Sequence, residues 1–101
     1  MLESTLKKHV MKYLKQIPDS HFWKTHGSNY GVGGISDIVG LINGRFIAIE
    51  LKVGKNEPTP LQKVFIKKVQ DAGGVAFAAW SLNDVRRELS LAGLVSNGYA
   101  Y

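Results

Sequence analysis

The residues that offer chemistry first are Asp37 and, after twelve intervening positions, Glu50-Leu51-Lys52. Between them lies Asn43-Gly44, the strongest short-range hairpin signal in the chain. In a two-residue hairpin loop Ile42 faces Arg45 and Leu41 faces Phe46, and counting on brings Asp37 opposite Glu50. Side chains on one sheet face are two residues apart, so Lys52 shares the face of Glu50. Directly opposed residues have Cβ atoms about 4.5–5.5 Å apart. Two carboxylates at that spacing repel unless a proton or a cation lies between them. A hard divalent cation takes oxygen ligands, and Mg²⁺ is commonly held by one or two carboxylates with waters and phosphate oxygens. With a lysine at phosphate range, the set suits phosphodiester hydrolysis. There a metal lowers the pKa of water and a lysine stabilises charge or orients the attacking water. On spacing alone, Asp37 also reads as a strand-end residue, and Glu50 and Lys52 as exposed polar positions. Against this, they follow the largely apolar run Phe46 to Ile49, where charges need a reason.

Two further polar residues sit inside otherwise apolar arcs. At ~100° per residue Glu3 falls between Val10 and Leu14 on a helical wheel, so its carboxylate can point to the core side. Acids near a helix N-terminus are also favoured by the dipole, which is reason enough for Glu3 to be there. Gln62 lies in the apolar arc of a later helix, where it also completes a capping box.

The elements that must hold these residues follow from pattern. Leu2, Leu6, Val10, Tyr13, Leu14 and Ile17 recur at helical spacing, and Pro18 ends that helix. His21 to His26 is a β-prone aromatic segment, followed by the glycine-rich loop from Gly27 to Gly34. Ile35 to Ile42 and Arg45 to Val53 form the hairpin, apolar on both faces as in a sheet covered on both sides. Thr59 caps a second helix with Pro60 at its first position. Leu61, Val64, Phe65, Val69 and Ala72 make its apolar face, and Gly73-Gly74 ends it. Val75 to Trp80 is a buried strand. Ser81 caps a last helix to about Ala92, with Leu82, Val85 and Leu89 inward. The crossover through the second helix makes the last strand parallel to a sheet neighbour.

Length and composition bound the rest. One hundred and one residues suit a single domain over 1–101. Composition is globular, at 45% hydrophobic and 21% charged. The absence of cysteine removes disulfides, thiolate metal sites and a cysteine nucleophile. No apolar run approaches the ~20 residues of a membrane span, and the first residues lack a signal-peptide core. A cytoplasmic protein is the expectation. A net charge of +5 favours a polyanionic partner, most naturally nucleic acid. Lys7, Lys8, Lys12 and Lys15 give the first helix a basic side, and Lys63, Lys67 and Lys68 do the same for the second. Such lysines position a duplex without reading sequence, though a solvated face is their commoner role. Tyr30 in the glycine loop is a further candidate DNA contact. That loop is not a P-loop, because it lacks Gly-Lys-Ser/Thr and leads into a strand. The histidines show no metal-binding spacing, and no serine triad is evident.

Asp37 followed at this spacing by Glu50-Leu51-Lys52 resembles the D…(D/E)xK signature of the PD-(D/E)xK nuclease superfamily. Glu3 on a leading helix, the glycine-rich approach to Ser36-Asp37 and Gln62 opening the next helix resemble its VRR-NUC branch. The small stand-alone members of that branch are phage-type and are similar to Holliday junction resolvases. Ser36 departs from the pattern, in which proline often precedes the aspartate. The resemblance implies an α/β, restriction-endonuclease-like αβββαβ core with a mixed central sheet flanked by helices. It implies Mg²⁺ or Mn²⁺ held by Asp37, Glu50 and the Leu51 carbonyl, with Lys52 as catalytic base or stabiliser and Glu3 and Gln62 in support. It also implies a homodimer acting on branched DNA, since two-fold symmetry suits paired nicks in a four-way junction. The apolar tail residues Leu94, Val95, Tyr99 and Tyr101 are candidates for a dimer interface or for packing on their own core. The rival expectations are a non-catalytic nucleic-acid-binding module of the same fold, and a flap-repair or restriction-type nuclease.

Overall fold

Asn43 and Gly44 both adopt positive φ, 51° and 82°, as a type I′ hairpin turn requires. The sheet is organised around that turn in the computed structural model, which describes residues 2–25 and 34–95. Strands β2 (Ile38–Ile42) and β3 (Arg45–Leu51) pair antiparallel, with Ile42 opposite Arg45 and Ile38 opposite Ile49. This is the register the turn predicts. Strand β1 (Ser20–Lys24) adds antiparallel to β2, and β4 (Val75–Ala79) adds parallel to β3. The order is β1-β2-β3-β4, a mixed sheet. Gly40 carries no side chain because a Cβ there would overlap the His21 carbonyl and the Phe22 ring of the neighbouring strand.

Three helices cover the two faces. Helices α1 (Glu3–Leu14) and α3 (Leu82–Leu91) pack on one face, α2 (Pro60–Asp71) on the other. The larger core joins Leu6, Val10 and Leu14 of α1 and Val85 and Leu89 of α3 to the inward isoleucines of the hairpin. Truncating a fully buried member such as Leu14 to alanine costs about 2–5 kcal/mol. The smaller core sets Phe65, Ile66 and Val69 of α2 against Val39, Ala48 and Ala76.

The element order is as predicted, and the differences lie at the ends. The first helix stops at Leu14 rather than Ile17. Gln16 and Ile17 N–H donate to Tyr13 and Leu14 carbonyls three residues back, a tighter turn before Pro18, and Ile17 stays buried. Helix α2 starts on a complete capping box: Thr59 Oγ1 accepts the Gln62 N–H, and Gln62 Oε1 accepts the Thr59 N–H. Its apolar face is rotated from the one the sequence predicts. Leu61, Val64 and Ala72 are exposed, while Ile66 packs on the sheet. In α3, Ser81 accepts the Asp84 N–H, and Asp84 turns back to accept the Trp80 N–H. That backbone bond, helped by Arg87, holds the Asp84 carboxyl below its usual range. Of the apolar tail, Val95 is buried in the main core and Leu94 packs against it, which removes Val95 from the candidate dimer surface. Tyr99 and Tyr101 lie outside the described residues. No helix among the described residues is long and apolar enough to cross a membrane.

Candidate active site

Where strand pairing between β2 and β3 runs out, side chains take over. Ile38 is the last β2 residue paired with β3, and Leu51 extends past it. The Leu51 N–H, left without a backbone partner on that side, donates to Asp37 Oδ2 at 2.9 Å. This explains why β2 begins at Ile38 instead of the predicted Ile35. A residue in an extended strand points its N–H and C=O to the same side, so the Leu51 carbonyl shares the edge that faces Asp37. On its other side Asp37 is fixed by β1, because its carbonyl accepts the Thr25 N–H at 2.9 Å. Thr25 Oγ1 donates to the preceding Ser36 carbonyl at 2.7 Å.

Glu50 stands next to Asp37 on the α2 face of the sheet and is only 2% exposed. Its β4 neighbour is Ala78. Glu50 Oε2 lies 3.4 Å from Lys52 Nζ, two residues on along the same strand face. Glu50 Oε1 is buried and accepts no hydrogen bond from a donor among the described residues. Burial first and the Asp37 charge second raise the Glu50 pKa to about 7, against the opposing pull of Lys52. The Asp37 charge acts on Glu50 in the direction that the hairpin register predicts. A buried carboxylate with an orphaned oxygen beside a second carboxylate is an arrangement that a divalent cation would relieve.

A cleft of about 290 Å³ opens onto Asp37. It is bounded by Thr25, Gly34 and Ile35 on one side and by Thr59, Leu61 and Gln62 at the start of α2 on the other. Gly34 is placed so tightly against α2 that a Cβ would overlap the Leu61 carbonyl, and its φ of +82° suits glycine alone. Gln62 thus does two things at once: its Oε1 completes the helix cap while the residue lines the Asp37 cleft.

Among the predicted site residues, Asp37, Glu50, Leu51 and Lys52 come together and Gln62 borders them. Glu3 does not join the pair. Among the described residues no group of three His, Cys, Asp or Glu side chains is close enough to hold one ion. Instead α1 delivers Lys7, whose Nζ lies 3.7 Å from Asp37 Oδ1. The sequence reading gave Lys7 to the basic side of the helix and missed this contact. The signal available was its position one turn beyond Glu3, on the same side of the helix.

The lysines divide into two groups. Lys7, Lys8 and Lys12 of α1 and Lys15 just past its end line a cleft of about 660 Å³, joined by Lys24 and Thr25 of the β1 end. This cleft meets the Asp37 cleft at Thr25, a residue common to both. Lys63 and Lys67 of α2 line neither, and Lys67 is paired with Asp71 at 3.3 Å. Tyr30 lies outside the described residues.

With this geometry in hand, comparison with known proteins adds the fold. No family model matches the sequence, and no curated protein matches it. A solved structure described as a "VRR_NUC domain protein" superposes with a TM-score of 0.70 at 20% sequence identity, covering 92% of this chain and 86% of that one. The likeness extends over most of both chains, and this chain has the fold of a VRR_NUC domain protein.

Proposed function

We propose that this protein is a metal-dependent, structure-selective endodeoxyribonuclease of the VRR-NUC type, acting on branched DNA as a homodimer. The observation that carries this reading is the Asp37–Glu50 pair, with Glu50 buried, one oxygen orphaned and Lys52 beside it. The fold likeness to a VRR_NUC domain protein supports it. So does the lysine-lined cleft that runs up to the Asp37 site.

Asp37, Glu50 and the Leu51 carbonyl would hold Mg²⁺ or Mn²⁺, a donor set of hard oxygens. The ion would withdraw charge from the scissile phosphate and make a water more acidic. Lys52, only 14% exposed, keeps a cation at the edge of the pair, where it offsets charge gathering on the phosphate in the transition state. The Leu51 N–H fixes Asp37 in place, so little reorganisation is needed when substrate arrives. Lys7 draws the substrate backbone toward Asp37 and continues the track set by Lys8, Lys12, Lys15 and Lys24. Gln62 and the cap of α2 wall the cleft on its far side. Glu3 remains a candidate for support from the α1 N-terminus, outside the ion-sized cluster.

The test is a cleavage panel in Mg²⁺ and in Mn²⁺ over linear duplex, single strand, flap, splayed arm and four-way junction, with Glu50→Ala alongside. Paired symmetric nicks in the junction, absent in the variant, support resolution by a dimer. Cleavage of flaps or duplex keeps the chemistry and moves the substrate class. Salt-sensitive binding without metal-dependent product would overturn catalysis in favour of a binding module of the same fold.

A further inference from the structure

Helix α2 covers the β3 and β4 side of its sheet face, and among the described residues no helix covers the β1 side. Its partners are Phe46, Ala48 and Ala76 together with Val39, the innermost part of the face. One strand further out stands Trp23, paired with Val39 and 43% exposed. His21 lies two residues back on the same strand face, its ring centroid 5.4 Å from that of Trp23 at a 39° tilt. Leu41, paired with His21, is exposed beside them.

The placement of this aromatic pair relative to the candidate site is set by register. Thr25, Asp37 and Glu50 form one row across the sheet face, and Trp23, Val39 and Ala48 form the next. Adjacent rows on one face are two residues apart, so the Trp23 and Asp37 backbones are about 8 Å apart. The opposite side of the same strand end carries Lys24, which with Lys7, Lys12 and Lys15 lines the basic cleft. Strand β1 is thus an edge with cations on one side, aromatic rings on the other and the carboxylates at its Thr25 end.

A nucleic-acid strand has complementary parts: charged phosphates on one side and flat bases on the other. In a duplex the bases are stacked and paired, and their faces are not available to a side chain. We infer that Trp23, backed by His21, is a stacking platform for an unpaired nucleobase next to the phosphate held at Asp37, and so selects for unpaired nucleotides in DNA. The inference rests on the nuclease reading of the Asp37 site for its orientation. The charge of the adjacent cleft is what favours a nucleotide over a protein partner on this open apolar face. Stacking on an exposed aromatic is tolerant of sequence, so the platform reads structure and not base identity.

The experiment is a fluorescence titration in EDTA, where no turnover occurs, using a Trp80→Phe background so that Trp23 is the sole tryptophan. Oligo-dT, splayed-arm DNA and blunt linear duplex are the probes. Oligo-dT and the splayed arm are expected to quench Trp23, and the blunt duplex is not. Trp23→Ala, followed by anisotropy of labelled DNA, is expected to weaken binding of the two unpaired probes about tenfold and of the duplex less than twofold. Trp23→Phe is expected to restore most of the loss. Equal weakening on all three probes, or no quenching, would overturn the platform. So would a concentration-dependent dimer that dissociates in Trp23→Ala without DNA, since the face would then belong to a second copy. Quenching without any metal-dependent cleavage would sink the nuclease reading and leave the platform standing.

Discussion

Asp37 Oδ2 accepts the Leu51 N–H at 2.9 Å, the point at which a side chain replaces the missing rung of the β2–β3 ladder. Its other oxygen faces Lys7 at 3.7 Å. The same carboxylate is therefore a structural closure of the hairpin and a candidate ligand. The two roles separate by substitution. Asp37→Asn keeps an acceptor for the Leu51 N–H and is expected to fold with a Tm within a few degrees of the parent while losing cleavage. Asp37→Ala strands that N–H and is expected to cost about 1–2 kcal/mol as well. Equal cleavage by Asp37→Asn and the parent would remove Asp37 from the site.

The proton on Glu50 makes stability depend on pH. Burial, then the Asp37 charge, lifts its pKa from 4.5 to about 7. Between those values the native state holds a proton that the unfolded chain has released. The stabilisation this gives is full below about 4.5 and is lost as pH rises through 7. In chelator, Tm is expected to fall between pH 5 and pH 8, after allowance for the other groups. Glu50→Gln, which carries its hydrogen at every pH, is expected to flatten that fall. An unchanged profile in the variant would assign the dependence elsewhere.

Metal binding is expected to act against that proton. A ligand that binds only the native state raises its stability in proportion to RT ln(1 + [L]/Kd). Mn²⁺ must displace the Glu50 proton, so the rise in Tm on adding it is expected to be larger at pH 8 than at pH 6. Asp37→Ala is expected to abolish the rise. Differential scanning fluorimetry with Mn²⁺ and Ca²⁺ reads this without any turnover.

The lysine cleft predicts a salt signature. Each phosphate neutralised contributes roughly 0.9 to the slope of log K against log salt on duplex DNA. Lys12→Ala and Lys24→Ala are each expected to lower that slope by about one and to weaken all DNA forms alike. Lys67→Ala is the matched comparison, because its ammonium is held by Asp71 outside the cleft. A larger change for Lys67 than for Lys12 would move the DNA track to α2.

Ser36 offers a test of packing without chemistry. Its hydroxyl is buried and has no hydrogen-bond partner among the described residues. An unmet buried hydroxyl costs about 1–3 kcal/mol, so Ser36→Ala is expected to raise Tm. Cleavage and Mn²⁺ binding are expected to stay near parental values, since the backbone of this residue and not its side chain holds Thr25.

The acidic pair was legible in the sequence because a two-residue turn converts spacing into register without further information. Asn43-Gly44 alone places Asp37 across from Glu50, and the pairing from Ile42–Arg45 to Ile38–Ile49 follows it residue by residue. The capping box of α2 was legible for a similar reason, since Thr59, Pro60 and Gln62 act within one turn. What was not legible depends on how elements settle against one another. Lys7 reaches Asp37 only because α1 packs across the far face of the sheet with its N-terminal half at the open end. Leu61 and Val64 fall on the periodic apolar arc of α2, but the small alanines of β3 and β4 seat that helix through Phe65, Ile66 and Val69 instead. Trp23 reads in the sequence as one more β-forming aromatic. Its exposure follows from the width of sheet that α2 leaves uncovered.

The Asn43-Gly44 turn also has a kinetic consequence. It makes the meeting of the two carboxylates one of the most local events in the chain, while docking of β4 waits on the long crossover through α2. Local hairpins of this kind tend to form early on the folding path. With the hairpin formed before the barrier, the Asp37–Glu50 repulsion at pH 8 is expected to slow refolding more than it speeds unfolding, which stopped-flow refolding at pH 6 and pH 8 would read. Mn²⁺, if it binds the pair, is expected to reverse the effect most strongly on that limb of the chevron. The same turn that builds the site makes its charge a matter of how fast the protein folds.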